Sequence, residues 1–310
     1  MLLSGFELLP RFLGLILFPI GMDLFMLFGP RLNDSTLASK LIQTFPMPAT
    51  LPQDLAEGWE VGTSALKSLL ETLSLTGFLR TFPLGVPSLF AWRGLVSNPL
   101  GPIQVIDTPI GLSWVVYGFG FTLIGWVLVS ILYYLIGKQY PEVTDGTNVN
   151  LLFVFTQLSL FNILVLAFLL MLVIPGSFIV SLLYMLHPVV GIFGYMIGIM
   201  LLISILLPSI FTPQAIAVDH LTILSALRKS FMTSRKTRPF TSLFLIMVML
   251  LAYLSNMLWQ VPPDSSWMLL VGIFGHALVS IALILSMFEY YTAVNELPEL
   301  NTTIDPTLIA

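Results

Sequence analysis

Three ionisable side chains lie within apolar stretches of a 310-residue chain in which only 9% of the residues are charged. They are Asp23, His187 and His276. An ionisable group in hydrocarbon is costly unless it is paired, so such residues mark proton relays, ligand sites or internal hydrogen-bond clusters. Asn256 and Gln260 lie at the end of another apolar stretch. These five residues form the candidate intramembrane polar cluster, either as a proton-relay or ligand site or as a structural hydrogen-bond network.

A single histidine in a membrane helix can also be the axial ligand of a haem or pigment. His276 lies in the stretch VGIFGHALVS, where Gly272 and Gly275 leave room for a flat macrocycle or for a neighbouring helix. Small residues of this kind pack helices more often than they seat cofactors. His276 and His187 are the two candidates for cofactor binding, and the cofactor itself stays unspecified. No metal site is predicted.

Signatures of catalysis are missing from the sequence. It has no zinc-binding H-E-x-x-H, no G-x-S-x-G elbow and no phosphate-binding glycine loop. Cysteine is absent as well, which excludes disulfides and thiolate nucleophiles. Asp219 and His220 are adjacent, but neighbouring residues of a helix point about 100° apart. The sequence therefore predicts no enzymatic activity.

The composition is typical of a protein dissolved in lipid. Hydrophobic residues make up 57% of the chain, whereas soluble domains have roughly 45 to 50% apolar and about 25% charged residues. Twelve basic and sixteen acidic side chains are too few to cover the surface of a soluble core of this size. We therefore predict an all-α, polytopic integral membrane protein. Its expected partners are membrane lipids and other integral membrane proteins, not nucleic acid.

Six apolar stretches are long enough to be transmembrane helices. A helix needs about 20 apolar residues to cross a hydrocarbon core of roughly 30 Å. The predicted spans are residues 11–29, 112–137, 151–174, 188–210, 240–260 and 267–289. Residues 175–187 are apolar but too few to span. They extend the third helix, enter the membrane partway or lie at the interface.

Basic residues are concentrated between the fourth and fifth spans, where five of the twelve lie. Loops rich in lysine and arginine stay in the cytoplasm, so both termini are predicted to be cytoplasmic and the membrane to be the plasma membrane. With this orientation the candidate polar cluster falls in the outer half of the bilayer. The same basic residues are predicted to contact anionic lipid: Arg228, Lys229, Arg235, Lys236 and Arg238.

The spans divide the chain into four predicted parts. Residues 1–29 form an N-terminal anchor, and residues 30–111 form an outer interfacial segment. Residues 112–290 form a five-helix bundle with a basic joint helix over 214–238, and residues 291–310 form a cytoplasmic tail.

The outer segment contains a predicted amphipathic helix. A capping-box pattern at Thr50 and Gln53 precedes apolar residues that recur at helical spacing up to Leu73. We expect the helix to lie flat on the membrane or on the protein. It acts as a lid over a cavity, as a docking surface for a neighbour or as an interfacial plug.

The joint between the fourth and fifth spans carries a resemblance to a known family. It resembles bacterial six-helix proteins related to the membrane domain that accompanies some glycerophosphodiester phosphodiesterases. The matching residues are Val218, Asp219, Ala226, Leu227, Arg228, Ser230, Phe231 and Arg235. The first span, the long outer segment and the missing phosphodiesterase depart from the family pattern. The resemblance thus implies a six-helix membrane fold and carries over no catalytic role.

Three functions are compatible with these features. The first is a non-catalytic structural or accessory subunit that packs against other membrane proteins and lipid. The second is a small-solute or lipid transporter that uses the region of Asp23 and His276. The third is a cofactor-binding subunit of an electron-transfer or light-harvesting complex.

Overall fold

The computed structural model of the chain describes residues 2–33, 37–44, 59–60, 62–64, 67, 74–90, 95, 97–108, 111–140, 150–236 and 238–296. Within these ranges, six helical segments are long and apolar enough to cross a membrane, which confirms the predicted number. They are Ser4–Phe28, Leu112–Gly137, Leu151–Leu186, Pro188–Val218, Pro239–Trp259 and Met268–Glu296. The protein is therefore an all-α, multi-pass membrane protein.

The first span is built from three helical pieces and begins earlier than the predicted residue 11. Helix α1 (Ser4–Leu8) leads into a 3₁₀ helix (Leu9–Ile16) and then into α2 (Leu17–Phe28). The backbone leaves helical geometry at Phe12, where φ is −116°. Pro19 lies in the first turn of α2, where a missing N–H costs no hydrogen bond.

The outer segment is irregular. Prolines such as Pro83 and Pro87 prevent a continuous helix there. Its described elements are helix α3 (Leu37–Thr44), an outer 3₁₀ helix (Leu75–Arg80) and four short strands. Strand β1 (Arg31–Asn33) pairs in parallel with β4 (Val105–Asp107), and β2 (Ser97–Asn98) pairs antiparallel with β3 (Gly101–Pro102). The amphipathic helix predicted from Thr50 to Leu73 lies largely outside the described residues.

Residues 175–187 belong to a longer helix. After α4 (Leu112–Gly137), helix α5 runs from Leu151 to Leu186 and passes through Pro175. The chain then turns at His187, whose backbone is extended, and α6 (Pro188–Leu206) begins. Pro188 fits the first position of α6 because its φ is already helical. Of the three alternatives for this segment, the structure has the extension of the third helix.

The predicted joint helix over residues 214–238 is interrupted. A 3₁₀ turn (Leu207–Ser209) is followed by α7 (Thr212–Val218), and α8 (Ile223–Lys236) begins after a four-residue break. His220 in the break has a φ of 54°, a left-handed conformation that is uncommon outside glycine. The break follows because helical hydrogen bonding cannot continue through that conformation.

The last two spans are α9 (Arg238–Trp259) and α10 (Met268–Glu296). The predicted start of a tail at residue 291 falls inside α10, which continues to Glu296. Residues 297–310 lie outside the described part of the chain.

The chain forms two compact units. The first unit comprises Met1–Leu13, Ser130–Leu254 and Val279–Ala310, and the second comprises Gly14–Val129 and Ser255–Leu278.

An aromatic cluster lies in the core of the first unit. The ring of Tyr290 stacks on Phe244 at 4.2 Å and on Phe211 at 5.7 Å. Phe288 contacts the rings of Tyr133 and Tyr140. These large buried rings fix α10 within the unit because each buries apolar area and restricts its neighbours' orientation.

The core of the second unit is aliphatic and combines spans with the outer segment. Side chains from α2 and α10 pack with residues that lie between the first two spans. The core residues are Ile20, Leu27, Leu89, Phe90, Leu95, Ile103, Leu269, Ile273 and Ala277. Part of the outer segment is therefore integrated into the helical packing of this unit.

Candidate functional site at Asp23

Asp23 lies on the buried face of α2 and has no exposed surface. Its carboxylate accepts hydrogen bonds from the Ser88 hydroxyl at 2.6 Å and from the Leu89 backbone N–H at 2.9 Å. Both donors belong to the irregular segment that follows the outer 3₁₀ helix. A buried carboxylate that accepts such bonds is stabilised by charge-assisted hydrogen bonding. Asp23 thus fastens the outer segment to the first span.

The carbonyl group of Leu89 is held from a different span. Gln260, at the end of α9, donates from Nε2 to the Leu89 carbonyl at 2.6 Å and to Asn256 Oδ1 at 3.1 Å. Both backbone groups of Leu89 are therefore satisfied by side chains of transmembrane helices. Leu89 is fully buried, and buried backbone groups need such partners because water does not reach them.

His276 lies two turns into α10 and is almost completely buried. Its Nδ1 is 3.7 Å from Asp23 Oδ2, close enough for an ion pair when the imidazole is protonated. Ser88, Asp23 and His276 do not have the order of a catalytic triad, in which the histidine lies between the serine and the carboxylate. Here the Ser88 hydroxyl donates directly to the carboxylate.

Arg80 adds a cation to the same unit. Its guanidinium donates from Nη1 to the Phe90 carbonyl and from Nε to the Gly77 carbonyl at 3.4 Å. Burial lowers the pKa of Arg80, and the Asp23 carboxylate acts in the opposite direction. Arginine remains charged because its ordinary pKa is so high. The site therefore combines the carboxyl group of Asp23, the guanidinium of Arg80 and the imidazole of His276.

Glycines of α4 provide the surface on which the outer 3₁₀ helix packs. A side chain at Gly125 would collide with the Leu79 backbone, and one at Gly118 would contact the Leu75 side chain. Gly120 has open space instead. Gly125 is thirteen residues into α4, roughly 20 Å along the helix, so the 3₁₀ helix packs well along this span.

The space beside His276 is occupied by protein. A side chain at Gly275 would collide with the Trp259 ring, and one at Gly272 would approach the Trp259 carbonyl at 2.7 Å. The two glycines therefore accommodate a neighbouring helix. Among the described residues, no group of three or more histidine, cysteine, aspartate or glutamate side chains is arranged to hold a metal ion.

His187 lies in the first unit, whereas Asp23, Asn256, Gln260 and His276 lie in the second. Its ring is exposed, and Nδ1 accepts a hydrogen bond from the Val189 N–H at 3.2 Å. His187 is thus the N-cap of α6, a position where a side-chain acceptor satisfies an otherwise unpaired N–H.

The basic residues of α8 have different environments. Lys229 forms an ion pair with Asp219 at 2.8 Å, and the Tyr291 hydroxyl donates to the same carboxylate. Arg228 and Arg235 are exposed. The side chains of Lys236 and Arg238 lie outside the described part of the chain.

No family model matches the sequence, and no curated protein or solved structure matches it either.

Three residues of the site escaped the sequence analysis. Ser88 and Leu89 contact residues far along the chain, and Ser88 is 65 positions from Asp23. Arg80 donates to the nearby carbonyl groups of Gly77 and Phe90. Leu89 contributes only its backbone, so no residue type marks it. Arg80, which lies between apolar residues, was the one available signal.

Proposed function

We propose that the protein is a non-catalytic accessory subunit that packs against another integral membrane protein in the lipid bilayer. The observation that carries this proposal is a hairpin arm, defined as residues 166–206 of α5 and α6. Within the arm only Gly191 is buried. The arm belongs to two spans, and in the most apolar stretch of each span only 6% of the residues are buried. In the span of α10, the corresponding share is 50%.

The length of α5 supports a protein partner for the arm. Thirty-six residues of helix extend about 54 Å, whereas the hydrocarbon core is roughly 30 Å thick. The span is apolar, with a mean hydropathy of 2.9 in its best window. A helix with this excess length tilts, kinks or locally thickens the bilayer, and such mismatch also drives some association between helices. We propose association, because close van der Waals packing against another helix would hold the two helices of the arm.

Glycines on the arm would allow the backbone of a partner helix to come close. Leu183 and Tyr184 of α5 already fill the space at Gly194 and Gly191. Gly198 and Gly176 have no atom within 4 Å of the position that a side chain would take. Transmembrane helices associate through such small residues, where backbones come close together. Gly198 and Gly176 are therefore the proposed contact points of the partner helix.

The hydrogen bonds of Asp23 favour this function over transport. Its two carboxylate oxygens accept donors from Ser88 and Leu89 of the same chain. A transported solute would have to displace these bonds and break the connection to the outer segment. The carboxylate is therefore better suited to holding the fold than to binding cargo.

The orientation forms part of the proposal. Five of the twelve basic residues lie between the fourth and fifth spans, and this enrichment supports a cytoplasmic position for α8 and for both termini. The proposed location is the plasma membrane.

Photo-crosslinking in the native membrane tests the accessory function. A photoreactive phenylalanine analogue would replace Met196 on the arm, which is 60% exposed, or Tyr253 on α9, which is 62% exposed. We expect a discrete protein adduct from position 196 and lipid adducts from position 253. Mass spectrometry of the adduct identifies the partner. Lipid adducts alone at position 196 would contradict the proposal.

A further inference from the structure

A groove lies between α8 and α10 in the first unit, with a volume of about 340 Å³. Two cations, two hydroxyl groups and an amide line it together with one apolar side chain. The lining residues are Ser225, Arg228, Lys229, Met232, Thr233 and Asn295. A concave site with several donors and no acidic side chain in its lining is suited to an anion.

Arg228 is the open cation of this groove. Its side chain is exposed, and within the described part of the chain it has neither a hydrogen-bond nor an ion-pair partner. The planar guanidinium offers several N–H donors in a fork that matches two oxygens of a phosphate. Arg228 is thus free to bind a ligand without breaking an existing contact.

Lys229 is held in place at the edge of the groove. Its ammonium is 2.8 Å from Asp219 and 5.9 Å from the centre of the Tyr291 ring. The Asp219 carboxylate, which lies outside the lining, balances the charge of Lys229, so Arg228 supplies the uncompensated positive charge of the groove. A site with one net positive charge suits an anion with one negative charge, such as a phosphodiester.

The neutral donors of the groove are ordered by bonds within the protein. The Ser225 oxygen accepts a hydrogen bond from the Thr222 hydroxyl at 3.3 Å, which leaves the Ser225 proton to donate. Thr233 donates to Asn295 at 3.0 Å, and Asn295 donates to the Tyr291 carbonyl at 2.8 Å. Such prior ordering reduces the entropy lost when a ligand binds.

Exposed apolar residues accompany these donors along α8. The exposed fractions of the side chains are 72% for Leu224, 53% for Met232 and 36% for Phe231. Phe231 lies between Lys229 and Arg235 in the sequence. Basic residues beside exposed apolar ones are typical of a helix that lies at the membrane surface. The acyl chain of a lipid would contact the exposed apolar residues of α8, and its charged headgroup would contact the basic ones.

We infer that this groove is a binding site for a phosphodiester group, with the headgroup of an anionic phospholipid as its source at the membrane surface. Arg228 binds two phosphate oxygens, and Ser225 and Lys229 donate to the remaining acceptors. The inference does not depend on the accessory function, because it concerns a different surface of the chain.

The test uses the full-length purified chain in two arms. In the lipid arm, it is placed in nanodiscs of phosphatidylcholine with or without phosphatidylglycerol, and native mass spectrometry counts the retained lipids. In the soluble arm, glycerophosphoglycerol or inorganic phosphate is added in detergent, and the shift in unfolding temperature is measured. Arg228→Gln is compared with Arg235→Gln, which removes the same charge from the same helix outside the groove.

We expect the wild type to retain phosphatidylglycerol and Arg228→Gln to bind it roughly tenfold more weakly, since a charge-assisted bidentate contact is lost. Arg235→Gln lies outside the groove and loses only diffuse attraction to anionic lipid, so it should weaken binding much less than Arg228→Gln does. Stabilisation by the soluble probes without a lipid preference would support the site with free phosphate as its source. Equal loss in both variants would mean diffuse attraction only and would overturn the inference.

A second variant covers the case in which Arg228→Gln does not fold. Arg228→Lys keeps the charge but loses the planar fork, so its affinity should fall between those of the wild type and the glutamine variant. Wild-type affinity in the lysine variant would show that charge alone acts there, and it would overturn the bidentate assignment.

Discussion

The Asp23 carboxylate accepts the backbone N–H of Leu89 at 2.9 Å, across 66 positions of the chain. This bond joins a transmembrane helix to a segment without regular secondary structure. Gln260 holds the carbonyl of the same residue, so the Leu89 peptide groups are bonded on both sides. These bonds satisfy the buried carboxylate of Asp23 with donors from the same chain.

Replacement of Asp23 should destabilise the protein. Asp23→Ala leaves the Leu89 N–H and the Ser88 hydroxyl unpaired, so we expect a loss of about 2 to 4 kcal/mol in the free energy of unfolding. Asp23→Asn keeps one acceptor oxygen and should lose less. Thermal unfolding in detergent measures both. Glu7→Gln, an exposed change of charge on the same span, is the control and should have no effect.

Gly125 should be intolerant of any side chain. The methyl group of Gly125→Ala would collide with the Leu79 backbone, and overpacking of this kind costs about 1 to 3 kcal/mol. Gly120→Ala on the same helix meets open space and should be tolerated.

Cysteine labelling provides the readout, since the native chain has no cysteine. Val86 is 3% exposed, so Val86→Cys should be protected from maleimide in the parent and in Gly120→Ala. It should be labelled in Gly125→Ala, because the outer segment detaches. Equal protection in both backgrounds would contradict the packing described for Gly125.

Ser230 should be important for the packing of α8 against the turn that precedes α7. Its hydroxyl is buried, donates to the Pro208 carbonyl at 2.6 Å and accepts from the Phe211 N–H at 3.1 Å. Ser230→Ala removes both bonds and should cost about 1 to 3 kcal/mol. The control is Ser177→Ala, whose exposed hydroxyl bonds only to its own helix at Ile174. Equal unfolding temperatures for the two variants would disprove this role.

Tyr140 should make stability dependent on alkaline pH. Burial and its hydrogen bond to Glu289 raise the pKa of the Tyr140 hydroxyl above its ordinary value. The unfolded chain releases this proton near pH 10, while the folded chain keeps it. The free energy of unfolding therefore has its full contribution from Tyr140 below about pH 10 and falls as the pH rises further.

Tyr140→Phe should reduce the loss of stability at alkaline pH. The variant has no phenol to titrate, so its unfolding temperature should drop less between about pH 9 and about pH 11 than that of the wild type. It should also be less stable at neutral pH because the bond to Glu289 is lost. Glu7→Gln, which leaves every phenol in place, is the control and should keep the wild-type profile over this range. An unchanged profile in Tyr140→Phe would contradict the assignment.

Sequence reasoning performed best where hydropathy alone decides the structure. The six spans were predicted because a helix satisfies its own backbone groups and needs only length and apolar side chains to cross the membrane. The predicted joint helix over 214–238 is interrupted at the left-handed backbone of His220, and the contacts that hold the two sides of this break are not local. Ser230 binds Pro208 and Phe211, and Asp219 binds Lys229 across the break. These contacts form only when α8 folds back onto α7.

The sequence by itself determined the class of the protein, the number of its spans and the concentration of basic residues on one connection, since all three depend on composition along the chain. Only the tertiary structure decided what Asp23 contacts. Its partners are a hydroxyl and a backbone N–H in an irregular segment, and backbone donors have no signature in residue type. It also decided that Arg228 and Asn295 line the same groove, because the two helices that carry them are brought together only by packing.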